Sequence, residues 1–217
     1  MKPSRLLLLF LGAALVAPAS AHIDVTPKLA VVQDKPTMVY IVNRGDRAEY
    51  VSIALSRLLN PGVETEQERL EPVAQTQQPV LYVSPFKLSL APGQSKTITL
   101  KPLADVEQEQ VYRLDIKPVV SLLDRGEAGT SGNVVVTLAF STLVRLLPKS
   151  ETSALSLRCE PEGTWLTASG NVRYQVKDAV ADGQPVDPFH VYPGTPILLQ
   201  GRSIQVPGQP SCPPSGR

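Results

Sequence analysis

Within the stretch NVVVTLAFSTLVRLLP, Asn133 to Pro148, the residues alternate with a period of two. Val134, Val136, Leu138 and Phe140 fall on one side, and Val135, Thr137, Ala139 and Ser141 on the other. That period belongs to a β-strand, whose successive side chains point to opposite faces. One face is large and apolar, the other small or polar, so the strand is suited to covering one apolar surface. Extended from Val134 to Leu147 it holds 14 residues, against the usual ~5–6. Two readings fit: a core strand of the chain's own sandwich, or an overlong edge strand offered to a partner. A long bare edge is normally a hazard that proteins blunt, whereas strand addition makes use of one. Arg145 then stands where the strand meets a polar, proline-bearing linker, PKSETS. A guanidinium there can hold a carboxylate through two parallel hydrogen bonds, or it can simply snorkel to water.

The rest of the chain repeats the theme in shorter pieces. Runs rich in Val, Ile, Leu, Thr and Tyr lie near Ile23–Val32, Thr37–Asn43, Glu49–Leu59, Val80–Val83, Phe86–Leu90, Lys96–Leu103 and Val111–Leu122. Between them stand NRGD, NPG, APGQ and GEAGTSG, where Gly and Asn tolerate positive φ and Pro fixes turn entry. Strands at this spacing predict an all-β chain with an immunoglobulin-like sandwich up to residue 148. After PKSETS a second strand-like series, with TWLTAS, NVRYQVKDA, FHVYPGTPILLQ and SIQV, predicts a smaller β-sandwich domain over 149–217. So small a unit has a weak core. Cys159 and Cys212 are the only cysteines, and one disulfide between them would staple it.

Residues 1–21 do not belong to either sandwich. Lys2 and Arg5 precede an apolar run from Leu6 to Ala17, and Ala19-Ser20-Ala21 forms a cleavage site, so the segment reads as a secretory signal peptide. The run is shorter than the ~20 residues that cross a bilayer. Removal would leave a mature chain beginning at His22 and would turn the formal charge from +1 to −1, since Lys2 and Arg5 are its only charged residues. Such a balance argues against nucleic-acid binding, which needs a basic face, and an exported chain favours an oxidised cysteine pair.

Catalytic signatures are absent from the sequence: it holds no GxSxG elbow, HExxH helix, Gly-rich phosphate loop or EF-hand pattern. An enzyme is therefore not expected. The acidic runs VETEQERLE and ADVEQEQ read as solvated loops rather than working carboxylates. A copper protein is the sharper alternative, because a mature N-terminal His22 offers an amine and an imidazole together. His190 is the sole other histidine to complete such a site. A pilin or adhesin would share secretion and β-structure, but would be expected to carry an exposed N-terminal extension.

The segments SRLLNPG, LYVSPFKLSLAPGQSKTITL, EQVYRLDIKPV, LAFSTLVRLLP and SGNVRYQVKD, in this order, resemble the periplasmic pilus-assembly chaperones of the PapD-like superfamily. The likeness is to the alternative, class 5 type. The segment VSPFKLSLAPGQSKTITL carries most of it, through its V-[ST]-P piece and the turn and strand that follow. The resemblance implies two immunoglobulin-like domains set as a boomerang, no cofactor, and fimbrial subunits and an outer-membrane usher as partners. It implies that Val134, Val136, Leu138 and Phe140 are donated to a subunit lacking its last strand, by donor-strand complementation. It also implies that Arg145 anchors the subunit's C-terminal carboxylate in the interdomain cleft. The family's second cleft cation has no clear counterpart: Leu29 stands where arginine is common, Tyr40 where some class 5 relatives have one, and Lys28 is the candidate. An arginine in a cleft builds neither core, so its loss is expected to leave the fold intact.

Overall fold

The computed structural model describes residues 22–119 and 138–212. The expected signal peptide, residues 1–21, and two of the expected donor residues, Val134 and Val136, lie outside the described residues. Among the described residues the first unit has ten strands. They are β1 (Ile23–Thr26), β2 (Leu29–Val32), β3 (Thr37–Asn43), β4 (Glu49–Leu58) and β5 (Leu70–Pro72). Then come β6 (Leu81–Ser84), β7 (Lys87–Leu90), β8 (Ser95–Pro102), β9 (Gln110–Pro118) and β10 (Phe140–Leu146). The second unit has β11 (Leu155–Glu160), β12 (Gly163–Ala168), β13 (Tyr174–Val176), β14 (Val180–Ala181), β15 (Gln184–Pro185), β16 (Phe189–Val191), β17 (Ile197–Gln200) and β18 (Ile204–Gln205).

In the first unit β1-β3-β8-β6 form one sheet and β2-β10-β9-β4-β5 the other, with β7 also on β4. Alternation along the longer strands delivers one face to a shared core that includes Val25, Ile41, Leu81, Ile98, Leu114 and Ile116, all essentially without solvent exposure. The expected strand Ile23–Val32 is two strands, because Pro27 has no N–H to give a ladder. β1 then pairs with β3 in one sheet, and β2 crosses to pair in parallel with β10 in the other. The turn NRGD is held by buried Asn43, whose Nδ2 donates to the carbonyls of Arg47 and Leu90 while its Oδ1 accepts from Gly45 N. Asn43 thus satisfies three backbone groups that the turn would otherwise leave unpaired.

Short sheets, β11-β12-β17, β13-β16 and β15-β14-β18, surround a second core with Leu166, Val176, Val191 and Ile204 at its centre. The chain as a whole is nearly all-β, with the two-domain β-sandwich fold expected of it. Cys159 and Cys212 are bonded, joining β11 to the chain beyond β18. Alkylation of the unreduced protein should find no free thiol. Reduction should lower the stability of the second unit by about 2–4 kcal/mol, read from urea unfolding with and without reductant.

The two cores meet at a seam. Leu58, Val111 and Tyr192 form a buried cluster of their own with Leu143 packed against it. The connecting segment is tied down from both sides. Gln33 Nε2 donates to Pro148 O at 2.8 Å, while Asn171 donates through Nδ2 to Ser150 O and accepts from Thr152 N. Asn171 also offers its backbone carbonyl to Glu109 N at 2.8 Å, so one residue of the second unit touches both the linker and the first unit.

Candidate functional site

The site grows from the register of β10. Along its whole described length β10 pairs antiparallel with β9, from Phe140 opposite Ile116 to Leu146 opposite Gln110. Its other edge is covered by β2 only from Leu143 to Leu146. Leu143 N and Leu147 N donate to Lys28 O and Val32 O. Main-chain groups of a strand alternate sides, so the N–H and C=O of Ser141 face the same edge as those of Leu143. Among the described residues no strand covers that edge at Phe140–Thr142. Leu138 and Phe140 share their side of the strand with Thr142, Val144 and Leu146, which are buried in the first core. Leu138 is 48% exposed, whereas Phe140 packs against the core and has Lys28 Nζ 4.6 Å above its ring.

The opposite side of β10 carries Ser141, Leu143 and Arg145 towards the seam. Arg145 grips Glu109 with two hydrogen bonds, Nε to Oε1 at 2.5 Å and Nη2 to Oε2 at 3.1 Å. Glu109 has no side-chain exposure, and its Oε2 also accepts the backbone N–H of Arg173 from the second unit at 2.7 Å. Burial works against the charge of Arg145, but the bonds and charge of Glu109 outweigh it and hold the guanidinium above its ordinary pKa. On the neighbouring strand Arg113 makes a second bidentate pair with Glu68, whose side chain is 7% exposed. Beside the Arg113–Glu68 pair lies a cleft of about 210 Å³, lined by both of those residues and by Leu58, Val111, Leu143, Phe189, His190 and Tyr192 among others. Arg173 Nη1 donates to the hydroxyl of the lining residue Tyr192 at 3.1 Å.

This arrangement corrects two expectations. Arg145 is structural: it is half of a buried ion pair whose carboxylate also takes the Arg173 N–H of the second unit. The acidic runs are not wholly solvated either, since VETEQERLE supplies Glu68 and ADVEQEQ supplies Glu109, each buried against an arginine. The surviving signal was the parity of Val111, Arg113, Leu143 and Arg145, which puts two arginines on an otherwise apolar face and so demands two carboxylates.

Lys28 sits elsewhere. Its Nζ pairs with Asp24 Oδ1 at 3.0 Å, a bond that lowers the Asp24 pKa, and its carbonyl marks the point where β2 closes the edge of β10. It is opposite Thr142, about three rungs or ~10 Å along the strand from Arg145. Tyr40 and Leu29 are exposed, Tyr40 on the outer face of the other sheet. His22 bonds Glu49 at 3.1 Å at the start of β1, while His190 lines the seam cleft. The structure does not bring the two histidines together, and among the described residues no cluster of three or more His, Cys, Asp or Glu could hold a metal.

No family model matches the chain. It is 29% identical over 149 residues to a CS1 fimbrial subunit of Escherichia coli and 26% identical over 147 residues to a CFA/I fimbrial subunit of the same organism. Each match covers 65% of this chain, which spans about 60% of the length of these curated relatives. Among solved structures, the class 5 fimbriae chaperone CfaA superposes with a TM-score of 0.66 at 21% identity, over 85% of this chain and 90% of its own. A chain from the chaperone–tip adhesin complex of CFA/I fimbriae biogenesis gives 0.67 at 20% identity, over 86% and 94%. The archaic CsuC–CsuE chaperone–tip adhesion subunit complex of Acinetobacter baumannii gives 0.56 at 15%, over 82% and 90%. With its two β-sandwich units, its cleft and these likenesses, the chain has the fold of the periplasmic chaperones of chaperone–usher pili, the class 5 chaperone among them.

Proposed function

We propose that this chain is a non-catalytic periplasmic chaperone of fimbrial subunits, exported by its first 21 residues and handing its cargo to an outer-membrane usher. The observation that carries the reading is the edge of β10. Below Leu143 it is covered by β2, and above it Ser141 presents its main-chain N–H and C=O to an edge that no described strand covers. A subunit strand pairing there would receive Val134, Val136, Leu138 and Phe140 as the apolar row its own sandwich lacks. Arg145 would meet the subunit's terminal carboxylate with Nη1, since Glu109 engages Nε and Nη2. Lys28, where β2 closes the edge, is the second cation within reach of an incoming chain end.

Ser141→Pro tests main-chain pairing. Proline removes the N–H that faces the open edge, a change edge strands tolerate better than central ones. The variant should stay folded and exported but should lose copurification with fimbrial subunits. Ser141→Val, which also loses the 2.7 Å bond from Ser141 Oγ to Asp115, should keep it. Undiminished subunit yield with the proline variant would refute strand addition at this edge. Leu138→Glu gives the side-chain counterpart: at 48% exposure its folding cost should be under ~1 kcal/mol, with subunit binding lost. Phe140→Glu is the less selective change, because that ring also packs on the chain's own core.

A further inference from the structure

The seam between the two units contains a titratable group that the proposed function does not use. His190, on β16, lines the cleft with its ring 6.3 Å from that of Tyr192. Its backbone carbonyl lies 3.4 Å from where a Cβ on Gly62 would stand, so the NPG turn of the first unit rests against it. Thr195 Oγ1 donates to Pro61 O at 3.2 Å beside the same contact.

The charges around this ring are unbalanced. From the first unit, Arg113 on β9 and Arg145 on β10 face the seam, with Glu68 and Glu109 as their partners. From the second unit come Arg173, whose guanidinium reaches Tyr192, and Lys177 just beyond β13. With His190 neutral, the three arginines and Lys177 already exceed the two carboxylates by two charges, and both carboxylates are bonded to arginines. A proton on His190 adds another cation to a half-buried site whose lining carboxylate, Glu68, is already paired with Arg113.

We infer that His190 makes the docking of the two units pH-sensitive: the seam is closed with a neutral imidazole and loosens when acid protonates it. Burial, then Arg173 and Arg145, pull the His190 pKa below its ordinary value, in keeping with this geometry. The sign follows by linkage. Above pH ~6.5 the ring is neutral whether the seam is closed or open, and no penalty exists. Below that, the open or unfolded form takes up the proton first, so the closed seam loses stability as pH falls. The sole other histidine is His22, before β1 and paired with Glu49. The interval from pH ~6.5 to ~5 therefore isolates His190 once His22 is controlled.

Two amides report the seam directly: Arg173 N–H, donated to Glu109 Oε2, and Glu109 N–H, donated to Asn171 O. Hydrogen exchange of both, corrected for intrinsic rates, should be followed from pH 7.5 to 5.5 in the full chain on a His22→Gln background. Protection should fall severalfold on acidification, and His190→Gln should abolish most of that fall. His190→Lys should show the low protection already at pH 7.5. An NMR titration of His190 in the otherwise unaltered chain provides the check that needs no variant to fold, and its pKa should lie below that of a free histidine. Equal losses with histidine and glutamine at 190, protection that does not change with pH, or a normal or raised His190 pKa would each overturn the inference. None of these readouts involves a fimbrial partner, so they stand or fall separately from the chaperone reading.

Discussion

Arg145→Ala is expected to cost about 3–5 kcal/mol of folding stability, because it leaves a carboxylate with no solvent exposure and no counter-charge. The naive expectation for a cleft arginine is a fully folded protein that merely fails to bind. Here the guanidinium supplies two of the three hydrogen bonds that satisfy Glu109, and the third comes from Arg173 N–H across the seam. Losing the first two should therefore weaken the docking of the units along with the fold. A loss of subunit capture in this variant would not by itself identify an anchor. The companion Arg145→Met/Glu109→Gln separates the two effects. It removes both charges, fills similar volume, and keeps an amide oxygen for Arg173 N–H. Urea unfolding should place it within about 1–2 kcal/mol of the parent, since replacing both members of a buried pair costs far less than breaking it. Subunit capture should remain lost if Arg145 is the anchor proposed for the subunit's carboxylate. Capture restored along with stability would assign Arg145 a purely structural role. Arg145→Lys should fall between, since an ammonium keeps the charge without the planar fork.

Most strands could be read from the sequence because local alternation and local turn residues specify them. Thr37–Asn43 is found with the expected limits, and Glu49–Leu58 within one residue. Where the reading fell short, the missing information was long-range. The split of Ile23–Val32 follows from Pro27, yet which sheet each half joins depends on distant partners: Asn43 and Tyr40, 20 and 14 residues from Ile23 and Thr26, for β1, and Leu143, 114 residues from Leu29, for β2. The buried roles of Glu68 and Glu109 have the same cause. Acidic residues in a run of polar neighbours look solvated until the arginine opposite is known, and sequence separations of 45 and 36 residues conceal that pairing. Arg145 was legible as a residue of special position, and its partner was not. The seam cluster of Leu58, Val111 and Tyr192 combines two units, so no single periodic segment announces it.

The second large effect should come from one methyl group added beside the linker. Gly170→Ala would place Cβ 2.0 Å from Thr152 O, 2.7 Å from Thr152 C and 2.8 Å from Ala154 N. All three are backbone atoms of the linker, so no side chain can swing aside to relieve the clash. The linker itself must move, and it is held there by Asn171 Nδ2 on Ser150 O and by Thr152 N on Asn171 Oδ1. Displacing it pulls on Asn171, whose carbonyl accepts Glu109 N, and so carries the strain into the buried ion pair of the seam. A loss of about 3 kcal/mol or more is expected, at the upper end for overpacking a filled site. Gly194→Ala is the informative comparison. That glycine has φ of +78° but nothing within 4 Å of its Cβ position, so only the left-handed backbone opposes the change. Its cost should be about 1 kcal/mol. Unfolding curves for the two variants should therefore rank Gly170→Ala well below Gly194→Ala in stability, and Gly170→Ala should also lose exchange protection at the Glu109 amide. Equal stabilities would mean that the linker gives way freely, and that the joint between the units is not held by the contacts described for it.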